Sequence, residues 1–351
     1  VVINNSNRRE GYPLNVKARE GELIENLSGS IFDVKGLIHP PRRVVAFIRF
    51  VPDAKGDRKR GKMRYRKVYA LSRRYVLLQK AFPTYLMYDS VFDEHLCEVP
   101  VKAIKHHYKP VDRLIELRHC NELDKVESQT FQFAELLKES ANIEWDKIGI
   151  SGSVLVKLHK PGSDIDPIVY GSENCRKVYL TLKGLLEDEK SAVDPYNLEE
   201  LRKLFDFRSR DTAMLFEDFV RTESRKVMQG KFLQRDYSMR FVKDWNEIEE
   251  QYGTTRYVNE GYARVKASVI DDSESIFTPC HYKISHVELL EGIHLEPIKE
   301  IVSFRARFCE QARNGETVIA QGKVERVQKG GTEEYYRLLI GGNVSDYVIL
   351  V

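Results

Sequence analysis

Along residues 20–110 apolar and polar positions alternate in short runs, the period of strands. SIFDVKGLIHPP alternates and stops at Pro40-Pro41, and RVVAFIRFVP is a β-branched and aromatic run ending at Pro52. Asp53–Lys62 reads as a long hairpin tip, and YRKVYAL returns as a strand. RYVLLQKAFPTYL predicts a helix broken at Pro83.

The period changes after residue 110. Leu123, Val126, Phe133, Leu136 and Leu137 fall at helical spacing across 123–140. WDKIGIS predicts a short strand, SVLVKL a short helix from Ser153, and DIDPIVYG a buried strand after a Gly162-Ser163 turn. Ser172 is placed to cap a helix running to about Glu187. NLEELRKLFDF and MLFEDFVRTESRKVM predict two further amphipathic helices, with Gly230 as a C-terminal cap. FLQRDYSMRFVKDW follows as a strand with Tyr237, Met239 and Phe241 on one face. From 251 the alternation returns in six candidate strands: YARVKASVID, SIFTPCHYKI, EIVSFRARF, TVIAQGKVERVQ, EYYRLLIG and DYVILV. Their natural packing is a small barrel or sandwich. The expected division is therefore an N-terminal α+β domain over 1–115, a mixed core over 116–250 and a β-rich domain over 251–351.

Composition narrows the class. With 42% hydrophobic and 31% charged residues over 351 positions, the chain can bury a core for two or three domains. No apolar run approaches the ~20 residues of a membrane span, and VVINNSNRREGYPLNVK lacks the layout of a secretory signal. The expectation is a cytoplasmic protein. Its five cysteines include no CxxC and its nine histidines no HxxxH, so a disulfide framework, zinc ribbon or zinc hydrolase has no local support.

Charge is asymmetric. The first 115 residues hold 23 Lys+Arg against 12 Asp+Glu, and the remainder 33 against 41. Ten of the twenty residues from Lys55 to Arg74 are basic, with Tyr65 and Tyr69 interleaved. Arg58, Lys59, Arg60, Lys62, Arg64 and Arg66 make this a candidate RNA-binding face, since neutralising phosphates releases counterions. A solvated hairpin is the plain alternative.

The candidate chemistry lies in GISGSVLVKLHKPGSDIDPIVYG, Gly149 to Gly171. Gly152 permits close backbone approach and Ser153 adds a hydroxyl, together a cradle for nucleotide phosphates. Asp164 and Asp166 lie two apart on a strand, so both side chains share a face and suit a hard divalent cation, Mg²⁺ or Mn²⁺. Pro167 follows directly and belongs at an edge or unpaired position.

SGSVLVKLHKPGSDIDPIVYG resembles the signature of the DNA polymerase β-type nucleotidyltransferase superfamily, a Gly-Ser pair followed by Asp-x-Asp in a strand. That likeness covers about 120–245. IFDVKGLIHPP, IDPIVYG, VIDDSESIFTPC and EIVSFRARFCEQA further resemble an archaeal family of predicted nucleotidyltransferases. The resemblance implies an α+β fold with a polymerase β-like core, a short mixed sheet with helices. It implies transfer of a nucleoside monophosphate from an NTP to an acceptor hydroxyl, with RNA the preferred acceptor. It also implies a third carboxylate on a later neighbouring strand: Asp236 is the choice and Asp271 or Asp272 the competitor, with Arg240 reaching a phosphate. Alternatives are a transferase acting on a small molecule or protein, and an RNA- or nucleotide-binding protein that keeps the core without turnover. The oligomeric state is left open.

Overall fold

The computed structural model describes residues 16–331 and 333–351; the opening stretch read above for a secretory signal lies almost wholly outside them. The described residues form a mixed α+β protein of seven helices and twenty strands.

The N-terminal part holds β1 (Leu23–Asn26), β2 (Ile31–Val34), β3 (Arg43–Pro52), β4 (Arg58–Arg60), β5 (Met63–Lys67), α1 (Leu71–Ala81), β6 (Leu86–Asp89), β7 (Glu94–Pro100) and β8 (Ile104–Tyr108). They pair in the order β4-β5-β3-β2-β1-β8, while β3 turns its start onto β7 and β7 carries β6. α1 stops at Ala81, and Pro83 opens a single 3₁₀ turn, the break that the proline predicts.

The central part holds α2 (Pro110–Arg118), α3 (Lys125–Ala141), β9 (Ile148–Ile150), α4 (Gly152–Leu155), β10 (Pro167–Tyr170), α5 (Ser172–Glu187), β11 (Val193–Asp194), α6 (Leu198–Arg208), α7 (Phe216–Glu223), β12 (Gln229–Phe232), β13 (Arg235–Ser238) and β14 (Arg240–Val242). α2 packs on β9 and spans the expected 115/116 division. The sheets β9-β10-β14 and β11-β12-β13 are joined by a parallel bridge from Ile165 to Tyr237. Phe133, Ala134 and Leu137 of α3 and Val178 and Leu182 of α5 cover one face, meeting Ile165, Val169, Tyr237 and Phe241.

Two local expectations are corrected. Gly230 is not a helix cap: it sits in β12 opposite Tyr237, where a Cβ would press on the Asp194 carbonyl. Gly171 at φ 88°, not Ser172, precedes α5; Ser172 is already its first residue.

The C-terminal part contains the six expected strands: β15 (Thr255–Asp271), β16 (Cys280–Gly292), β17 (Ile298–Ser303), β18 (Thr317–Lys329), β19 (Glu333–Leu339) and β20 (Tyr347–Leu350). β15 pairs β16 and β18, β16 pairs β17, β17 pairs β19 in parallel, and β19 pairs β18. The hydrogen-bonded ring therefore closes into a barrel, with β20 added on β18. The barrel's inner residues Val265, Ala267, Tyr282, Ile301 and Val324 continue the apolar cluster of the central helices.

A three-carboxylate candidate site facing the N-terminal sheet

The period of two places the site. Ile165 and Val169 face the helical core, so Asp164, Asp166, Ile168 and Tyr170 face the other way. Ile168 pairs with Arg240 and Ile165 with Tyr237, all in parallel. The same register sets Asp236 beside Asp164 and Ser238 beside Asp166 on the outward face. Backbone bonds fix it: Ile165 N–H donates to the Asp236 carbonyl at 2.9 Å and Ser238 N–H to the Ile165 carbonyl at 2.9 Å. The break of the strand at Met239 does not disturb the alternation, for Tyr237, Met239 and Phe241 are all buried. Pro167 stands first in β10, where its missing N–H is tolerated.

Gly152 brings its backbone against this face. Its φ is +63°, and a Cβ there would overlap Asp166 Oδ2. Ser151 N–H donates to the Asp166 carbonyl at 2.8 Å, and its hydroxyl donates to the Gly21 carbonyl at 2.5 Å. Ser153 Oγ is buried with no hydrogen-bond partner among the described residues. The Gly162-Ser163 turn is held by Arg235, whose Nη1 donates to the Pro161 and Ser163 carbonyls at 2.9 and 2.6 Å.

The electrostatics are those of an acidic cluster short of counter-charge. Burial and then the neighbouring Asp164 push Asp166 up to about 7, against the pull of Lys67, Arg240 and Arg49. Asp236 is also held above the ordinary range, first by desolvation, with Asp164 and Glu200 adding to it against Lys231. Neither a hydrogen-bond donor nor an ion-pair partner within 4.0 Å engages the side chains of Asp164, Asp166 or Asp236 among the described residues. The three carboxylates are hard oxygen donors that accept no hydrogen bond, although among the described residues they do not close to within 4.8 Å of one another.

Sequence reasoning missed the groups that face these carboxylates from elsewhere. Lys67 at the end of β5 feels Asp164 and Asp166, and Tyr196 before α6 feels Asp236 and Asp164. Their signal in sequence was faint: Lys67 is one of ten basic residues in its stretch.

The other expected residues fall as follows. Arg240 lies between the site and the buried Glu20 and Asp33, at 3.3 and 3.8 Å, rather than standing free. Arg58 is buried and donates to the Leu158 carbonyl at 2.5 Å, so it cements the N-terminal sheet to the loop after α4. Arg60 pairs with Glu25 at 2.7 Å and Arg66 with Asp53 at 2.9 Å, and Arg64 donates to the Gly56 carbonyl at 2.7 Å. Lys59 and Lys62 remain exposed on the β4–β5 hairpin. Asp271 is engaged by Lys283 at 2.8 Å and by Ser273 N–H at 2.9 Å at the end of β15, while Asp236 is the acid beside Asp164.

Among the described residues, the metal-capable side chains that close to within 4.8 Å of one another are Asp124, Glu127 and His159. Ordinary structure explains them: Asp124 and Glu127 form the capping box of α3, His159 bonds Asp124 at 2.7 Å, and Glu127 meets Arg113 at 2.5 Å. The three candidate carboxylates do not converge that closely.

By fold, then, this is a mixed α+β protein with a β-rich C-terminal sheet. Among curated proteins, the uncharacterized protein MJ1086 of Methanocaldococcus jannaschii is 31% identical over 334 residues, covering 93% of this chain and 96% of that protein. The chain belongs to the same family as MJ1086. No family model matches it, and no solved structure matches it. Among the described residues no helix is long and apolar enough to cross a membrane.

Proposed function

We propose that this protein is a nucleotidyltransferase that moves a nucleoside monophosphate from an NTP to an acceptor hydroxyl and releases pyrophosphate. One observation carries the reading: Asp164, Asp166 and Asp236 share a face of neighbouring strands and accept no hydrogen bond among the described residues, with Gly152 pressed on Asp166 and the next residue, Ser153, unpartnered. Asp164 and Asp166, with Asp236, would hold Mg²⁺ or Mn²⁺. When bound, the cation supplies Lewis-acid stabilisation of charge on the reacting phosphate. The chain's own groups do the rest. Gly152 and Ser153 orient the phosphates. Asp236, exposed and more basic than an ordinary aspartate, accepts the acceptor hydroxyl's proton. The acceptor oxygen then bonds the α-phosphorus as the bond to the bridging oxygen of pyrophosphate breaks.

RNA is the acceptor we favour, on the exposed Lys59 and Lys62 and the basic excess of the N-terminal part. A small molecule or protein is the competing acceptor. Incubating the chain with each labelled NTP, Mg²⁺, and total RNA or protein shows which polymer is labelled. Asp164→Asn and Asp166→Asn are each expected to cut labelling at least ~100-fold, as is chelation of divalent cations. Labelling that persists in both folded variants removes the proposal. A second reading, nucleotide or RNA binding without turnover, draws on the failure of the three carboxylates to close within 4.8 Å. It predicts binding with no labelling under any condition.

A further inference from the structure

Phe50 and Tyr65 of the N-terminal sheet pack with Leu155 and Leu158 beside the site, which brings the adjoining Arg49 and Lys67 toward the acidic face, with Arg74 near Arg49. Arg49 in β3, Lys67 in β5 and Arg74 in α1 have no carboxylate within 4.0 Å among the described residues. Arg74 is only 9% exposed, and its guanidinium donates just one bond, from Nε to the Val68 carbonyl at 3.3 Å. Lys67 Nζ and Arg49 Cζ stand 5.0 and 5.9 Å from the ring of Tyr69.

They are close enough to repel one another. Burial and then Arg49 lower Lys67 to about 8, and the same two causes, in the same order, lower Arg74 to about 10. Asp33, the buried acid that acts on Arg49 and Arg74, is already shared, since it meets Lys35 at 3.1 Å and Arg240 at 3.8 Å. Arg305 adds further positive charge beside Arg74 but is paired with Asp211 at 2.8 Å. Holding three like charges in a half-buried wall is costly unless a polyanion joins them. The wall also acts on the site: Lys67 and Arg49 both pull on Asp166.

We infer that Arg49 and Lys67 form the subsite for the triphosphate chain of the nucleotide, supplied by the N-terminal sheet across from Asp164 and Asp166. This rests on the nucleotidyltransferase reading and names its substrate-holding groups. The arrangement divides the labour. Ser153 and the carboxylates serve the reacting end of the phosphate chain, and Arg49 and Lys67 serve the end that leaves.

The test uses the full chain and inorganic tripolyphosphate without divalent cation, read by titration calorimetry. The parent protein is expected to bind it. Lys67→Ala and Arg49→Gln are each expected to weaken binding roughly 10-fold or more, and Lys67→Arg to restore it. Lys329→Ala, exposed at the end of β18, is expected to bind as the parent does. Asp166→Asn, which removes an acid facing the cations, is expected to bind tighter. Circular dichroism confirms that each variant is folded. Unchanged binding in both Lys67→Ala and Arg49→Gln overturns the inference. So does a parent protein that ignores tripolyphosphate but binds an RNA oligonucleotide without a 5′-phosphate through the same residues. The two claims fail separately. Tripolyphosphate binding that depends on Lys67, with no labelling from any NTP, removes the transferase reading alone. Labelling with an unchanged KM for NTP in Lys67→Ala removes the subsite alone.

Discussion

Ser153 separates stability from function at the scale of one residue. Its hydroxyl is buried and makes no hydrogen bond, a state that costs free energy in the folded protein. Ser153→Ala is therefore expected to be neutral or stabilising by up to ~1 kcal/mol in chemical denaturation, while NTP turnover falls. Gly152→Ala next to it is expected to lose both. Its φ of +63° strains any Cβ, and that Cβ would displace the Asp166 carboxylate. A stability loss of about 1–2 kcal/mol should accompany the lost turnover. His39 gives a pH signature. Val45 N–H donates to its Nδ1 at 3.2 Å, and its Nε2–H donates to the Ala18 carbonyl at 2.8 Å, so the neutral ring is the one that fits. Burial holds its pKa down at about 4, against an ordinary 6.5. The unfolded chain thus takes up a proton between pH 6.5 and 4 that the folded chain refuses, and stability must fall as pH drops through that window. A loss of about 2 kcal/mol is expected there from this group. Denaturation midpoints at pH 7.5 and 4.5 should draw apart less in His39→Gln than in the parent; equal separation would count against this assignment.

Single elements show both what pattern reveals and where it stops. The body of α3 was legible from its apolar spacing, whereas its start is set by Asp124, which forms both bonds of a capping box with Glu127 and begins the helix at Lys125. Asp124→Ala should cost about 1 kcal/mol by thermal melting, and Asp124→Asn much less, because asparagine still caps. Added divalent metal should leave that difference unchanged if the contact with His159 is only structural. The six C-terminal strands were legible for a similar local reason, as alternation survives in strands with one buried face. Gly230 was not, because a glycine after an amphipathic run reads as a cap, whereas its cause here is the close Asp194 carbonyl across a strand pair. Alternation puts Asp164 and Asp166 on the face opposite Ile165, and Asp236 on the face opposite Tyr237, but the search for a third carboxylate came from the family resemblance. What alternation could not supply was the company they keep. Lys67 looked like a member of one solvated basic stretch, yet it acts on Asp164 and Asp166, while Arg58 and Arg60 are absorbed into packing and ion pairs.

Across the whole molecule, the site exists because three parts far apart in sequence are locked together, and no local pattern encodes those locks. Ser151 reaches the Gly21 carbonyl, Arg58 reaches the Leu158 carbonyl, and Glu310 reaches back from the barrel part to the core. The last is the most exacting. Glu310 is 7% exposed and accepts from Val227 N–H at 2.8 Å, Met228 N–H at 2.9 Å and the Tyr179 hydroxyl at 3.0 Å. Val227 and Met228 lead into β12, whose partner β13 carries Asp236. Glu310→Ala leaves two backbone donors buried and unmatched, so it should cost about 3–5 kcal/mol in urea denaturation. Glu310→Gln keeps one acceptor oxygen and should cost roughly half as much. The loss has a functional shadow: with the 227–228 segment released, β13 loses its register against Asp164, and turnover should fall in Glu310→Ala although the residue touches no substrate. Tripolyphosphate binding, which depends on Lys67 and Arg49 in the N-terminal sheet, should be little changed at temperatures where the variant is folded. A variant that loses stability but keeps full turnover would show that the barrel part steadies the chain without setting the carboxylates.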